Sequence, residues 1–128
     1  MLNDDTLLAR YAFQSSDVRS DGNPHAKLFK GKRGEPLSVY DITGMQHSDV
    51  CDFGHIYADN PQKGRRHFGY ARIFYRVIAD AGLGAEYDNT PPRHVSILFS
   101  GPEENVREIC KMLAALSDFR QCTLDTRQ

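Results

Sequence analysis

From His94 to Phe99 the side chains alternate, with Val95, Ile97 and Phe99 on one face of a strand and His94, Ser96 and Leu98 on the other. The next residues, Ser100-Gly101-Pro102-Glu103-Glu104, read as a helix start. They offer a capping hydroxyl, a proline for the first turn and two acids at the positive end of the dipole. Val106, Ile109, Cys110, Leu113, Ala114 and Leu116 then recur at helical spacing and predict a buried stripe. Glu103 and Arg107 add an i,i+4 pair worth about 0.3 kcal/mol. A short edge strand at Cys122 to Leu124 is expected in the tail.

Upstream, Leu37 to Ile42 alternates as a strand, with Leu37, Val39 and Asp41 on one face. Gly44 ends it. Ser48 and Asp49 can start a middle helix that presents Val50, Phe53, Tyr57 and Ala58 along one side and stops at Asn60-Pro61. At the N-terminus, Asn3 or Asp4 can cap a helix carrying Leu7, Leu8, Tyr11 and Ala12 at helical spacing. Residues 18–36 change to Ser, Asp, Gly, Asn, Pro and Lys, which predicts a long loop with one extended piece at Ala26 to Phe29.

Tyr70 to Ile78 fits either helix or strand. Six of its nine residues are β-branched or aromatic, which favours a strand with Ala71, Ile73, Tyr75 and Val77 inward and Arg72, Phe74 and Arg76 outward. Gly82 and Gly84 mark a turn into a short strand at Ala85 to Asp88, and Asn89-Thr90-Pro91-Pro92 is a stiff connection. The summed expectation is one α+β domain over residues 1–128, with a mainly antiparallel sheet and N-terminal, middle and C-terminal helices.

Composition narrows the function classes. Apolar residues make up 40% and charged residues 26%, as in ordinary globular domains, and a net charge of -1 gives no overall attraction to nucleic acid or anionic lipid. Any such binding needs a local patch. Cys51, Cys110 and Cys122 are an odd set without CxxC spacing, so neither a disulfide nor a zinc site is expected. Asp4, Asp5, Asp41, Asp49 and Asp52 show no metal-binding spacing, and no cofactor loop is present, so no metal and no cofactor are expected. The opening residues are acidic rather than signal-like, and no apolar run reaches the ~18 residues of a membrane span. A cytoplasmic setting is the expectation.

Three constellations carry candidate chemistry. His94 and Ser96 project the same way, about 6–7 Å apart along a strand. His-Val-Ser-Ile-Leu-Phe-Ser-Gly resembles one half of the signature of two-histidine phosphoesterases, in which two such motifs supply base and acid. No Ser or Thr stands two places after His25, His47, His55 or His67. The segment 63–76 holds five Lys or Arg and no acid, with aromatics interleaved, the composition for phosphate neutralisation and base stacking. Arg66, Phe68, Gly69 and Tyr70 partly resemble the aromatic strand of RNA-recognition motifs, departing at His67 and Ile73. Lys27, Lys30, Lys32 and Arg33 form a second basic cluster, without the Lys-Ser/Thr ending of a phosphate-binding P-loop. Beside Arg65 and Arg66 it would make one anion-binding surface.

Asp4-Asp5-Thr6-Leu7-Leu8-Ala9-Arg10, Ala26 to Phe29, Leu37-Ser38-Val39-Tyr40-Asp41 and Pro92-Arg93-His94 to Phe99 together resemble a family of small bacterial proteins of unassigned activity. The resemblance implies a bacterial cytoplasmic protein of single-domain size and supplies no catalytic residues. With no complete acid–base or nucleophile set, the sequence leans away from an enzyme. It favours a protein-binding module using Arg65, Arg66, Arg72, Phe74 and Arg76, since an aromatic between arginines is hot-spot composition. The alternatives are a phosphodiester- or nucleotide-processing enzyme built on His94 and Ser96, with Arg65, Arg66 or Arg93 holding phosphate, and a nucleic-acid binder using segment 63–76.

Overall fold

A computed structural model describes residues 2–32 and 35–122. Six strands form one open antiparallel sheet in the order β4-β5-β2-β1-β3-β6. They are β1 (Leu7–Ala12), β2 (Leu37–Asp41), β3 (Gly69–Phe74), β4 (Gly84–Tyr87), β5 (His94–Leu98) and β6 (Asp118–Gln121). Helix α1 (His47–Tyr57) follows β2, α2 (Tyr75–Asp80) continues directly from β3, and α3 (Glu103–Ala115) lies between β5 and β6. The α+β class and the antiparallel sheet agree with the sequence reading.

Alternation along the central strands divides the core in two. Leu8, Leu37, Val39, Ala71, Ile73, Val95 and Ile97 meet Leu28, Phe29, Ile78, Cys110 and Leu113 on the face that α3 covers. Ala9, Tyr11, Tyr40 and Tyr70 turn the other way and meet Val50 and Cys51 of α1. The sheet is therefore packed between helices on both faces. Each fully buried large aliphatic contributes on the order of 1.5–3 kcal/mol.

The double covering explains the first correction. The expected N-terminal helix is strand β1, paired to β3 over six residues from Leu7↔Phe74 to Ala12↔Gly69. Neighbouring apolar residues are both buried in a strand covered on two sides, and 7, 8, 11 and 12 then mimic helical spacing. The middle and C-terminal helices lie where apolar spacing put them, although α3 begins after Pro102 without a side-chain cap from Ser100. Leu116, assigned to the buried stripe of α3, is 58% exposed just past the helix end.

The expected strand 70–78 stops at Phe74, where the Tyr75 amide donates to the Thr6 carbonyl and the chain winds into α2. Ile78 is buried on that helix, while Tyr75 and Val77 are only partly so. Ala26–Phe29 is a 3₁₀ turn rather than an extended piece; it drops Leu28 and Phe29 into the core beneath α3. The tail strand begins earlier than expected, at Asp118, and Thr123 and Leu124 lie outside the described residues. Glu103 pairs with Lys30 at 2.8 Å.

Cys51 of α1 and Cys122 beyond β6 form a disulfide across 71 residues of sequence, which overturns the expectation of no cross-link. An odd cysteine count hides a bond when the leftover thiol, here Cys110, is buried beside the Phe29 carbonyl. Among the described residues, no helix is long and apolar enough to cross a membrane.

Candidate anion-binding groove

Strands β1 and β2 are neighbours at the centre of the sheet, yet only Leu8↔Asp41 and Ala9↔Tyr40 are in register. Beyond Ala9 the two strands part. Arg10 stands in the opening, donating from Nε to the Leu28 carbonyl at 2.9 Å and from Nη1 to the Ser38 carbonyl at 3.0 Å. Leu28 is placed to receive it because the 3₁₀ turn folds under this end of the sheet.

The opening is a groove of about 330 Å³ lined by β1 residues, by Pro36 to Ser38 and Tyr40, and by Lys32, Lys63 and Arg65. It runs on into a depression of about 630 Å³ that adds Lys27 and Lys30 while sharing Arg10, Lys63 and Arg65. The two basic clusters of the sequence thus lie on opposite banks of one channel, with Arg10 at its floor. Arg33 and Gly34 lie outside the described residues.

A hairpin-like loop supplies the second bank. Asn60 and Arg65 exchange backbone hydrogen bonds at 2.8 and 2.9 Å, and Gly64 closes the turn at φ 68°, a left-handed value that suits glycine. The Arg65 guanidinium lies 4.3 Å from the centre of the Phe13 ring, a cation–π contact that holds it over the groove.

The charge balance is uneven. Two acids, Asp17 and Glu35, also line the channel. Asp17 accepts from the Phe13 and Gln14 amides and pairs with Lys27 at 3.3 Å, and Lys30 pairs with Glu103. Among the described residues, Lys32, Lys63, Arg65 and Arg10 form no ion pair with a carboxylate. Burial lowers the Arg10 pKa, Asp17 opposes that shift and the nearby Arg65 adds to it. Arginine stays charged regardless, so an incoming anion relieves the crowding. Burial pushes the Tyr11 and Tyr40 hydroxyls up, leaving the aromatic floor neutral.

The remaining sequence candidates lie elsewhere. Arg66 is exposed beside Arg65, outside the residues that line the channel. Arg72 makes a two-pronged bond to Asp118 at 3.0 and 2.6 Å, which binds β3 to β6 and holds the Asp118 carboxyl below its ordinary pKa. Arg76 rests over the Phe74 ring at 5.2 Å, and that ring is 41% exposed. His94 is buried: its Nδ1 bonds Asp88 at 2.7 Å and its ring meets Tyr40 edge-on. The Ser96 hydroxyl donates to the same Asp88 at 3.3 Å rather than to the imidazole. Hydroxyl and imidazole are both tied to one carboxylate, so the His94 ring is not the group that accepts from the Ser96 hydroxyl. Arg93 holds a positive φ of 65° and donates to the Asp41 carbonyl at 2.9 Å.

Two side-chain groups have metal-ligand composition, His47 with Cys51 and Cys122, and His55 with Asp59 and His67. The first has its cysteines joined. The second escaped the sequence reading, because only His55 lies on α1 while Asp59 and His67 follow beyond the helix end. Arg10 also went unmarked, and its signal was a lone cation inside an apolar strand. No protein family, curated protein or solved structure gives a match to the chain.

Proposed function

We propose that this chain is a non-catalytic binding domain for a phosphate-bearing polymer, single-stranded nucleic acid, which lies in the channel between β1 and β2. The observation that carries the reading is Arg10: a partly buried guanidinium at the floor of an open groove, crowded by Arg65 and flanked by Lys32 and Lys63. Phosphate oxygens would accept from these cations as water and counterions leave. The elongated run of cations favours a polymer over a single phosphate. A protein partner at Arg72, Phe74 and Arg76 is less favoured, because Asp118 already neutralises Arg72 and the Phe74 ring is shared with Arg76.

Anisotropy of a labelled single-stranded oligonucleotide tests the reading. Binding should weaken with log salt at a slope of about −3 if some four phosphates are neutralised. The rim variant K63E/R65E should lose at least tenfold in affinity, about 1.4 kcal/mol. R76Q, outside the channel, should bind as the parent does. An oligonucleotide that fails to bind at low salt, or binds K63E/R65E unchanged, would refute the assignment.

A further inference from the structure

Independently of that reading, we propose that the stacked imidazoles of His55 and His67 form an acid-sensitive latch at the base of the loop carrying Lys63 and Arg65. A proton on His67 releases the loop while the sheet stays folded. The two ring centres lie 4.3 Å apart with planes tilted by 33°. His55 and Asp59 precede the loop and His67 follows it, so the cluster ties both of its ends to α1.

The hydrogen bonds assign the protons. His67 Nε2 lies 3.0 Å from the Cys51 carbonyl, which can only accept, so that nitrogen carries the hydrogen. His55 Nδ1 donates to one Asp59 carboxylate oxygen at 2.7 Å, and the His67 amide donates to the other at 2.9 Å. Both oxygens are thus held away from the remaining nitrogens, His67 Nδ1 and His55 Nε2, which are buried without a hydrogen-bond partner. The stacked rings cannot aim those nitrogens at one ion together with that carboxylate, so the cluster answers to protons rather than to a metal. A proton on His67 Nδ1 puts charge on a fully buried ring that lies against a second imidazole.

Among the described residues, the titratable groups facing that ring are His55 on α1, Asp59 just beyond it and Tyr11 of β1, whose ring centre is 4.8 Å away. Tyr11 donates to the Val50 carbonyl and stays neutral, and β3 offers the Gly69 backbone. Burial depresses the His67 pKa and His55 adds to the effect, against Asp59 and the Cys51 and Gly69 backbone. In the open loop the ring regains an ordinary value of about 6.5. Closing the loop below that pH therefore expels a proton. The closed form keeps its full stability above about pH 6.5 and loses it progressively as the pH falls.

The test is amide hydrogen exchange of the oxidised full chain from about pH 7 to about pH 5.5, with each rate normalised to that of an unstructured peptide. The Arg65 amide donates to the Asn60 carbonyl and the His67 amide to Asp59, so both report opening. Their protection should fall by up to about tenfold per pH unit below about 6.5, as one proton per opening requires. The β1–β3 ladder should keep its protection over the same range. H67Q, which retains a donor for the Cys51 carbonyl, should flatten the dependence. Imidazole nitrogen shifts of the parent chain give a second readout, in which the closed loop holds His67 neutral at about pH 6. A flat profile in the parent or an equal fall in H67Q overturns the proposal. So does loss of the ladder together with the loop, or a charged His67 in the closed loop. None of these readouts uses nucleic acid, so this proposal and the preceding one fail separately.

Discussion

Gly54 shows how closely helix α1 approaches the sheet. A Cβ at this position would sit 2.5 Å from His67 Nε2 and 2.5 Å from Tyr11 Cε1. Alanine should raise helix propensity by up to about 1 kcal/mol, yet both neighbours are buried and cannot retreat. Overpacking of this kind costs about 1–3 kcal/mol and should win. Gly54→Ala is therefore expected to lower stability in urea unfolding, and a gain would mean that the His67 ring is loosely held. The same closeness puts the imidazole against the Cys51 carbonyl. Nothing in the sequence announces it, because a glycine inside a helical pattern reads only as a weak spot.

At the scale of elements, periodicity was legible where an element has one buried face and illegible where it has two. Helices α1 and α3 each bury a single stripe, so Val50 and Leu113 stood out. Strand β1 is covered on both sides, and its alternation disappeared into Leu7-Leu8 and Tyr11-Ala12. Tyr70 to Ile78 changes element midway, and no single period could describe it. The disulfide joins α1 to the end of β6, two pieces distant in sequence and neighbours only through the sheet. Closing a loop of this length typically adds about 2–4 kcal/mol. Denaturant unfolding with and without reductant should differ by that amount. Equal midpoints would mean that the cross-link does not constrain the unfolded chain.

For the whole molecule, a formal charge of -1 conceals a strongly uneven distribution. The sequence showed two basic clusters and left open whether they meet. The fold joins them because the 3₁₀ turn passes beneath one side of the β1–β2 opening while the 60–65 loop rises on the other. Arg10 showed in the sequence only as a lone cation inside an apolar strand, and its role follows from two strands separating rather than from any local motif. The histidine strand was legible as a strand, whereas its Asp88 partner comes from beyond a cis Thr90–Pro91 corner. The two register pairs between β1 and β2 have one more consequence. They make the middle of the molecule a seam between two plates, β4-β5-β2 on one side and β1-β3-β6 on the other. Central amides usually exchange last with solvent. Here those of the seam should exchange ahead of the β1–β3 ladder, and equal protection would show that the plates do not swing apart. Any opening there has to part the core that Leu8 and Ile73 share with Val39 and Val95, which limits how far the seam can yield.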